Sequence, residues 1–504
     1  MAASSSPVHV MSELASSLSS GLVEFLNASP SPFHAVGSCA KILSESGFTR
    51  ISERDLWHGE GQNVNLVKGG KYFFTRNSSC LVAFSVGGNY TPGNGFQVIG
   101  AHTDSPDFKV RPISKDSNMG IQQVGVAPYG GGLWHTWFDR DLTVAGRVFL
   151  KVPGQGDEKV VQQLVHITRP ILRIPNLAIH LQRGIYEKGF SPNTESEVQP
   201  YLATAIKAAL VDGEVASSSL TEKHHPLLLL LLAEQLLEDG DLPVELASCS
   251  ASELVSHIVN FELDVCDTQP ATIGGAMKEF IFGPRLDNLL SCFLAVKALT
   301  SPEVAEHLPS SSSVHVVSLF DNEEVGSVSC AGAASSLLKD FFERFSECAP
   351  LMEEGSPTRV DTAASVAKSF VLSVDMAHAV HANYSSVHQK LHCPKIHDGV
   401  VIKTNCNQRY ATTPATSLVL KMIAEKRGIP LQEFAVRSDM GCGSTIGPVL
   451  SSNTSVRTID IGVPQLSMHS IREMCGVDDL EHMYNLLMSF LVDFEQVDSC
   501  MPFE

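Results

Sequence analysis

The sequence predicts an α/β fold: a mixed sheet with helices on both faces, interrupted by an inserted, mainly β domain. Three observations lead there. Apolar runs at Val314-His315-Val316-Val317-Ser318-Leu319-Phe320, Phe370-Val371-Leu372-Ser373-Val374 and Val456-Arg457-Thr458-Ile459-Asp460-Ile461-Gly462 read as strands buried on both faces. From about Phe108 to Phe261 the texture changes to short alternating strands with Pro- and Gly-rich turns. The length, 504 residues, exceeds what one ordinary core organises. The implied division is 1–107 and 262–504 for the first domain and 108–261 for the insertion, which we expect to carry the oligomer contacts.

Along the chain, apolar residues recur at helical spacing over 12–43, broken at Ser29-Pro30-Ser31-Pro32. Tyr72-Phe73-Phe74 and Leu81-Val82-Ala83-Phe84 follow as strands, and Gly87-Gly88-Asn89 supplies a turn. Gln97-Val98-Ile99-Gly100-Ala101 is a short strand that runs into His102-Thr103-Asp104-Ser105-Pro106. Polar groups at the carboxyl end of a strand are where open α/β sheets place their chemistry. In the insertion, Val144 to Val152 reads as a strand, Ser217-Ser218-Ser219 as a loop and 227–237 as a helix. A helix over 289–300 restores the α/β rhythm. The first twenty or so residues are Ala- and Ser-rich enough to predict disorder.

Composition narrows the function. With 43% hydrophobic and 18% charged residues, the chain is globular. A formal net charge of −19 and a pI near 5.4 leave no basic footprint for phosphate backbones or anionic lipid, so neither nucleic acid nor membrane is an expected partner. No run of 18 apolar residues exists. Twelve cysteines without a CxxC pair read as reduced, mostly buried thiols. No Lys or Arg precedes Lys41, unlike the cationic start of a targeting peptide, so a cytoplasmic location is expected. HExxH, GxSxG and Walker motifs do not occur.

Five places set an acid or histidine beside an apolar strand or in a loop: His102 with Asp104, Asp287, Glu323 with Glu324, Asp375, and His469. Singly these are ordinary polar residues. Together they supply the mixture of imidazole and carboxylate that borderline divalent metals prefer, in the number a bridged pair of ions requires.

Six blocks then carry a resemblance over nearly the whole chain: Gly100-Ala101-His102-Thr103-Asp104-Ser105-Pro106; residues 129–142, with Gly130-Gly131-Gly132 and Trp134-His135-Thr136-Trp137; Phe282-Gly283-Pro284-Arg285-Leu286-Asp287-Asn288; Asp321-Asn322-Glu323-Glu324-Val325-Gly326-Ser327; Asp375-Met376-Ala377-His378-Ala379; and Met468-His469-Ser470-Ile471-Arg472-Glu473. In this order they resemble the M18 metallopeptidase family. The resemblance implies a metallopeptidase domain with an inserted dimerisation domain, two Zn2+ per subunit, and removal of N-terminal aspartate, then glutamate, from peptides. It implies that His102, Asp287 and Glu324 serve one side of the centre, that Asp375 and His469 complete it, and that Asp287 bridges. Glu323 would be the general base toward a water held between the ions, and other divalent ions are possible at one position. Asp104, two residues past His102, suits orientation of that imidazole.

A substrate with a β-carboxylate needs a cation in a partly desolvated pocket. Lys403, in Val400-Val401-Ile402-Lys403, is the first choice, against a plain surface lysine. The resemblance also implies that His180, within the insertion, reaches the site of a neighbouring subunit, and that the assembly is similar to a tetrahedral dodecamer. His378, His381, His388, His392 and His397 keep no single helical face and read as loop residues rather than ligands. Two rivals remain: a neutral-specificity aminopeptidase on the same fold, and a non-catalytic oligomeric scaffold or cargo protein.

Overall fold

Nine strands form the principal sheet of the computed structural model, which describes residues 12–59, 64–154, 159–210, 215, 219–352 and 361–502. Across the sheet the order is Thr49–Arg50, Lys71–Arg76, Cys80–Val86, Val314–Phe320, Phe96–His102, Phe370–Val374, Arg457–Gly462, Val400–Lys403 and Leu431–Phe434. The four strands from Val314–Phe320 to Arg457–Gly462 run parallel. Cys80–Val86 and Val400–Lys403 flank them antiparallel, so the sheet is mixed as expected. In the parallel register His102 lies opposite Phe320 and Ile461 opposite Val374. The carboxyl ends of the four strands therefore meet at one edge.

Residues alternate between two cores, because successive side chains of a strand point to opposite faces. Leu81, Ala83, Ile99, Ala101, Val317 and Leu319 join one cluster with the helices Glu13–Ala28, Pro32–Glu45, Leu286–Leu299, Pro414–Arg427 and Val477–Asp498. Val82, Phe84, Phe96, Val98, Val314 and Val316 join the other with Leu337–Cys348 and Ile446–Thr454, including an aromatic group around Phe341, Phe342 and Phe345. Helices thus cover both faces.

The disorder expected for the first twenty residues does not hold where they are described. Glu13–Ala28 is helical, with Ser12 accepting the Ala15 N–H (2.9 Å) and Phe25 against Phe293 at 5.4 Å. Its apolar stripe gives this segment enough buried surface to offset the entropy of ordering it. Residues 1–11 lie outside the described residues.

A second, antiparallel sheet has the order Lys159–His166, Leu142–Val152, Ile258–Asp267, Asp107–Asn118, Ile121–Tyr129 and Tyr201–Thr204. Its strand Ile258–Asp267 continues past position 261 into the following segment. The expected helix at 227–237 is found as Pro226–Asp239, and four shorter helices accompany it. Of the expected serine loop, Ser217 and Ser218 lie outside the described residues, while Ser219 begins the helix Ser219–Lys223. A third sheet, not foreseen, pairs Ala377–His378 with Pro464–Leu466 and continues through Glu473–Gly476, Phe280–Gly283 and Thr272–Gly274. The twelve cysteines are free, and half of them are buried. Among the described residues no helix is long and apolar enough to cross a membrane.

Candidate metal centre

Each of the singled-out acids and histidines at the sheet edge is set by a chain break. His102 is the last residue of Phe96–His102. Glu323 and Glu324 open a short 3-10 turn after Val314–Phe320, entered through Asn322 at φ 62°. Asn tolerates this left-handed conformation better than most residues, and the turn aims two adjacent acids differently. Asp287 is the second residue of Leu286–Leu299 and has non-helical backbone, and Asp375 follows Phe370–Val374. His469, at φ 64°, sits between Pro464–Leu466 and Glu473–Gly476.

These breaks bring the five residues together. His102 Nε2 lies 3.3 Å from Asp287 Oδ1 and 3.6 Å from Asp375 Oδ1. His469 Nε2 lies 3.6 Å from Asp287 Oδ2 and 3.3 Å from Glu324 Oε2. One ligand atom each of His102, Asp287 and Glu324 falls within 4.8 Å of the others, so the grouping implied by the resemblance is sterically possible. The individual contacts nevertheless sort differently, His102 with Asp375 and His469 with Glu324, and Asp287 faces both sets with separate oxygens.

A metal fits this arrangement on the evidence of orphaned atoms. His102 Nε2, Asp287 Oδ1, Asp375 Oδ1 and Glu324 Oε1 are buried and have no hydrogen-bond partner. Buried polar atoms are rarely left so, and unpaired buried carboxylate oxygens converging on imidazole nitrogens suit a divalent cation. The crowding also shows in the acidities. Burial pushes Glu323 up to about 9 against the pull of His102, with Asp375 and Glu324 adding. Burial likewise raises Glu324 to about 7, opposed by His469. His469 is lifted to about 12 despite burial, because Asp287 and Glu324 favour its charged form.

A further layer holds the cluster. His102 Nδ1 lies 3.0 Å from the Asp104 carbonyl and 3.4 Å from its Oδ1, the orienting contact expected of Asp104. The Asp104 carboxylate also accepts the N–H groups of Glu323 and Glu324 (both 3.1 Å) and the Tyr129 hydroxyl (2.7 Å). Glu473, fully buried, accepts the N–H groups of Asp287 and His469 (both 2.9 Å). His469 Nδ1 meets the Gly131 carbonyl at 3.0 Å.

Against known proteins, residues 25–491 match the aminopeptidase I zinc metalloprotease family, M18. The chain belongs to the M18 family. It is 47% identical to a probable aspartyl aminopeptidase of Ricinus communis, over 96% of each chain, and 46% identical to an aspartyl aminopeptidase of Dictyostelium discoideum, over 94% of this chain and 96% of the relative. Among solved structures it resembles that of an Ape4 and Nbr1 complex (TM-score 0.87, 42% identity, 97% of this chain and 88% of the other). It also resembles the Saccharomyces cerevisiae mApe1 dodecamer (TM-score 0.79, 30% identity, 97% and 99%).

In this M18 chain, Lys403 is not a surface lysine. It is 2% exposed, donates to the Met376 carbonyl (3.0 Å), lies 3.5 Å from Asp375 Oδ2, and faces the Tyr410 ring at 5.3 Å. Lys403, Tyr410 and the metal-centre residues line one open cleft of about 630 Å3, with Ser444 and Thr445 on its wall. His180 is exposed in a turn between Lys159–His166 and Tyr201–Thr204 and does not line the cleft of its own chain. Of the five clustered histidines, only His378 lines the cleft. His388 instead accepts the His381 N–H (3.1 Å), and His397 pairs with Asp478 (3.2 Å). Among the described residues the one metal-competent group of three or more is that of His102, Asp287 and Glu324.

Sequence reasoning passed over Glu473, Tyr129 and Tyr410. Glu473 and Tyr129 stand inside the quoted blocks, and Tyr410 follows Lys403 closely. Their only signal was that proximity, since a lone Glu or Tyr carries no ligand pattern.

Proposed function

We propose that the chain is a two-zinc aminopeptidase that releases N-terminal aspartate, and glutamate more slowly, from peptides. The observation that carries this reading is Asp287, whose two oxygens face separate histidine–carboxylate sets. On this reading His102, Asp375 and Asp287 Oδ1 would hold one ion, and His469, Glu324 and Asp287 Oδ2 the other. When bound, such ions would polarise the scissile carbonyl and acidify a water. The rest falls to the chain itself. Glu323, beside the cluster but without a share in the closest contacts, takes the proton of the attacking water and returns it to the departing amine. Asp104 fixes His102 and, through two backbone N–H groups, the turn that aims Glu323 away from Glu324.

Lys403 would receive the β-carboxylate, its buried ammonium giving an ionic contact greater weight than one in open water. Because Lys403 also touches Asp375, it has a second effect, steadying that carboxylate. We further infer that the segment 108–261 is a dimerisation domain, that His180 completes the cleft of a neighbouring subunit, and that the assembly is a dodecamer, as in the mApe1 relative. A cytoplasmic setting, without nucleic-acid or membrane partners, accords with the acidic composition.

The test is the initial rate of zinc-supplemented protein on an aspartyl amide against the matching leucyl amide, with a chelated control. Chelator-sensitive preference for aspartyl is expected. Preference for leucyl would point to the neutral-specificity rival, and no turnover of either to a scaffold.

A further inference from the structure

A second cavity, of about 310 Å3, opens beside the cleft and shares His378 and Met468 with it. Both shared residues come from segments that build the site: His378 lies on the strand just beyond Asp375, and Met468 immediately precedes His469. Phe434 stands where the two spaces meet, its ring 5.8 Å from that of His378 and 6.4 Å from that of cleft-lining Tyr410. Val387, Met440 and Leu466 complete an apolar wall, and Val387 and Met440 remain 43% and 46% exposed, open to an incoming group.

His381, His388 and Arg437 also line the cavity, and all three are engaged: His388 Nε2 accepts the His381 N–H (3.1 Å) and His381 Nδ1 accepts the Asn383 N–H (3.2 Å). Arg437 reaches the cavity, but both Asp439 oxygens hold its guanidinium (2.9 and 2.6 Å), and it also donates to the Ser386 carbonyl (3.0 Å). A bidentate pair of this kind leaves little field for an acidic side chain. The cavity therefore suits apolar surface, whose burial is favourable in proportion to its area.

An aminopeptidase seats nothing upstream of its first residue. With that residue beside Lys403, the neighbouring space that shares the His378 and Met468 wall is left for the chain beyond the scissile bond. We propose that this cavity is a subsite for a large apolar side chain at the second or third position of the peptide, with Phe434, Val387, Met440, Leu466 and Met468 setting the preference. The proposal rests on the aminopeptidase reading above.

The test compares kcat/KM for Asp-Xaa-Ala and Asp-Ala-Xaa amides, with Xaa as Gly, Lys, Leu or Phe, in wild type, Met440→Glu and Met440→Leu. At one of the two positions, wild type should favour Leu or Phe over Gly by about tenfold or more. Met440→Glu should erase that ratio and raise the Lys:Gly ratio, while Met440→Leu keeps the apolar preference. A flat wild-type profile at both positions, or an unchanged Leu:Gly ratio in Met440→Glu, would overturn the subsite. Failure to cleave any of the Asp peptides, with cleavage of peptides bearing another first residue, would count against the acidic first-residue assignment alone. The same series would then be run on whichever first residue is released, and a flat profile there, or no cleavage of any peptide, would overturn the subsite.

Discussion

Asp287 presents one carboxylate oxygen to His102 and the other to His469, and Glu473 holds the backbone N–H groups of Asp287 and His469 alike. Glu323 lines the same cleft beside this set, and we propose it as the group that moves the proton. Replacing it with Gln should leave zinc content unchanged and lower kcat by about 10²- to 10⁴-fold; elemental analysis alongside steady-state rates checks both halves, and full activity would remove Glu323 from the chemistry. For Lys403→Met, loss of one charge-assisted contact predicts a fall of about 10- to 100-fold in the aspartyl:leucyl ratio of kcat/KM. An unchanged ratio would place acidic selectivity elsewhere. The five acids and histidines were legible as candidates because metal binding draws on few residue types and the blocks around them are distinctive. The sorting of Glu324 with His469 was not, since it depends on how the turn after Asn322 aims its side chains.

At the scale of elements, the central strands were legible because a strand covered on both faces has to be apolar throughout. Val314–Phe320 and Phe370–Val374 are found with the expected ends, and Phe96–His102 stops where its polar residues begin. The third sheet was not legible, because Ala377–His378 and Pro464–Leu466 are too short to show a period. Gly462 shows how closely elements approach at the site: a Cβ there would lie 1.9 Å from the Asp375 carbonyl oxygen. On the opposite face, Phe345 is fully buried against Phe84, Tyr90 and Phe96. Phe345→Ala should cost about 3–5 kcal/mol of stability through lost burial and a residual cavity, seen as a lower urea midpoint, and a change below about 1 kcal/mol would contradict this packing.

For the whole molecule, acid sensitivity follows from buried histidines that the fold holds in the uncharged form. Burial, aided by His307, takes His315 down to about 3, and burial takes His34 to about 3 and His166 to about 4. The unfolded chain protonates such groups near 6.5 while the folded chain does not, so stability is full above that pH and declines as pH falls from 6.5 toward 4. His315 alone contributes about 2 kcal/mol of that loss by pH 5. His315→Asn should flatten the fall in urea midpoint between pH 7.5 and 5, and an unaltered slope would show that His315 is not a source of it. Assembly was the property least legible in the residues themselves: His180, for which we propose a place in a neighbouring subunit's cleft, is simply exposed in a single chain. Zinc per chain after exhaustive dialysis of wild type and Asp287→Asn tests the bridged centre most directly. Two ions in wild type and at most one in the variant are predicted; one or none in wild type, or two retained by the variant, would contradict it.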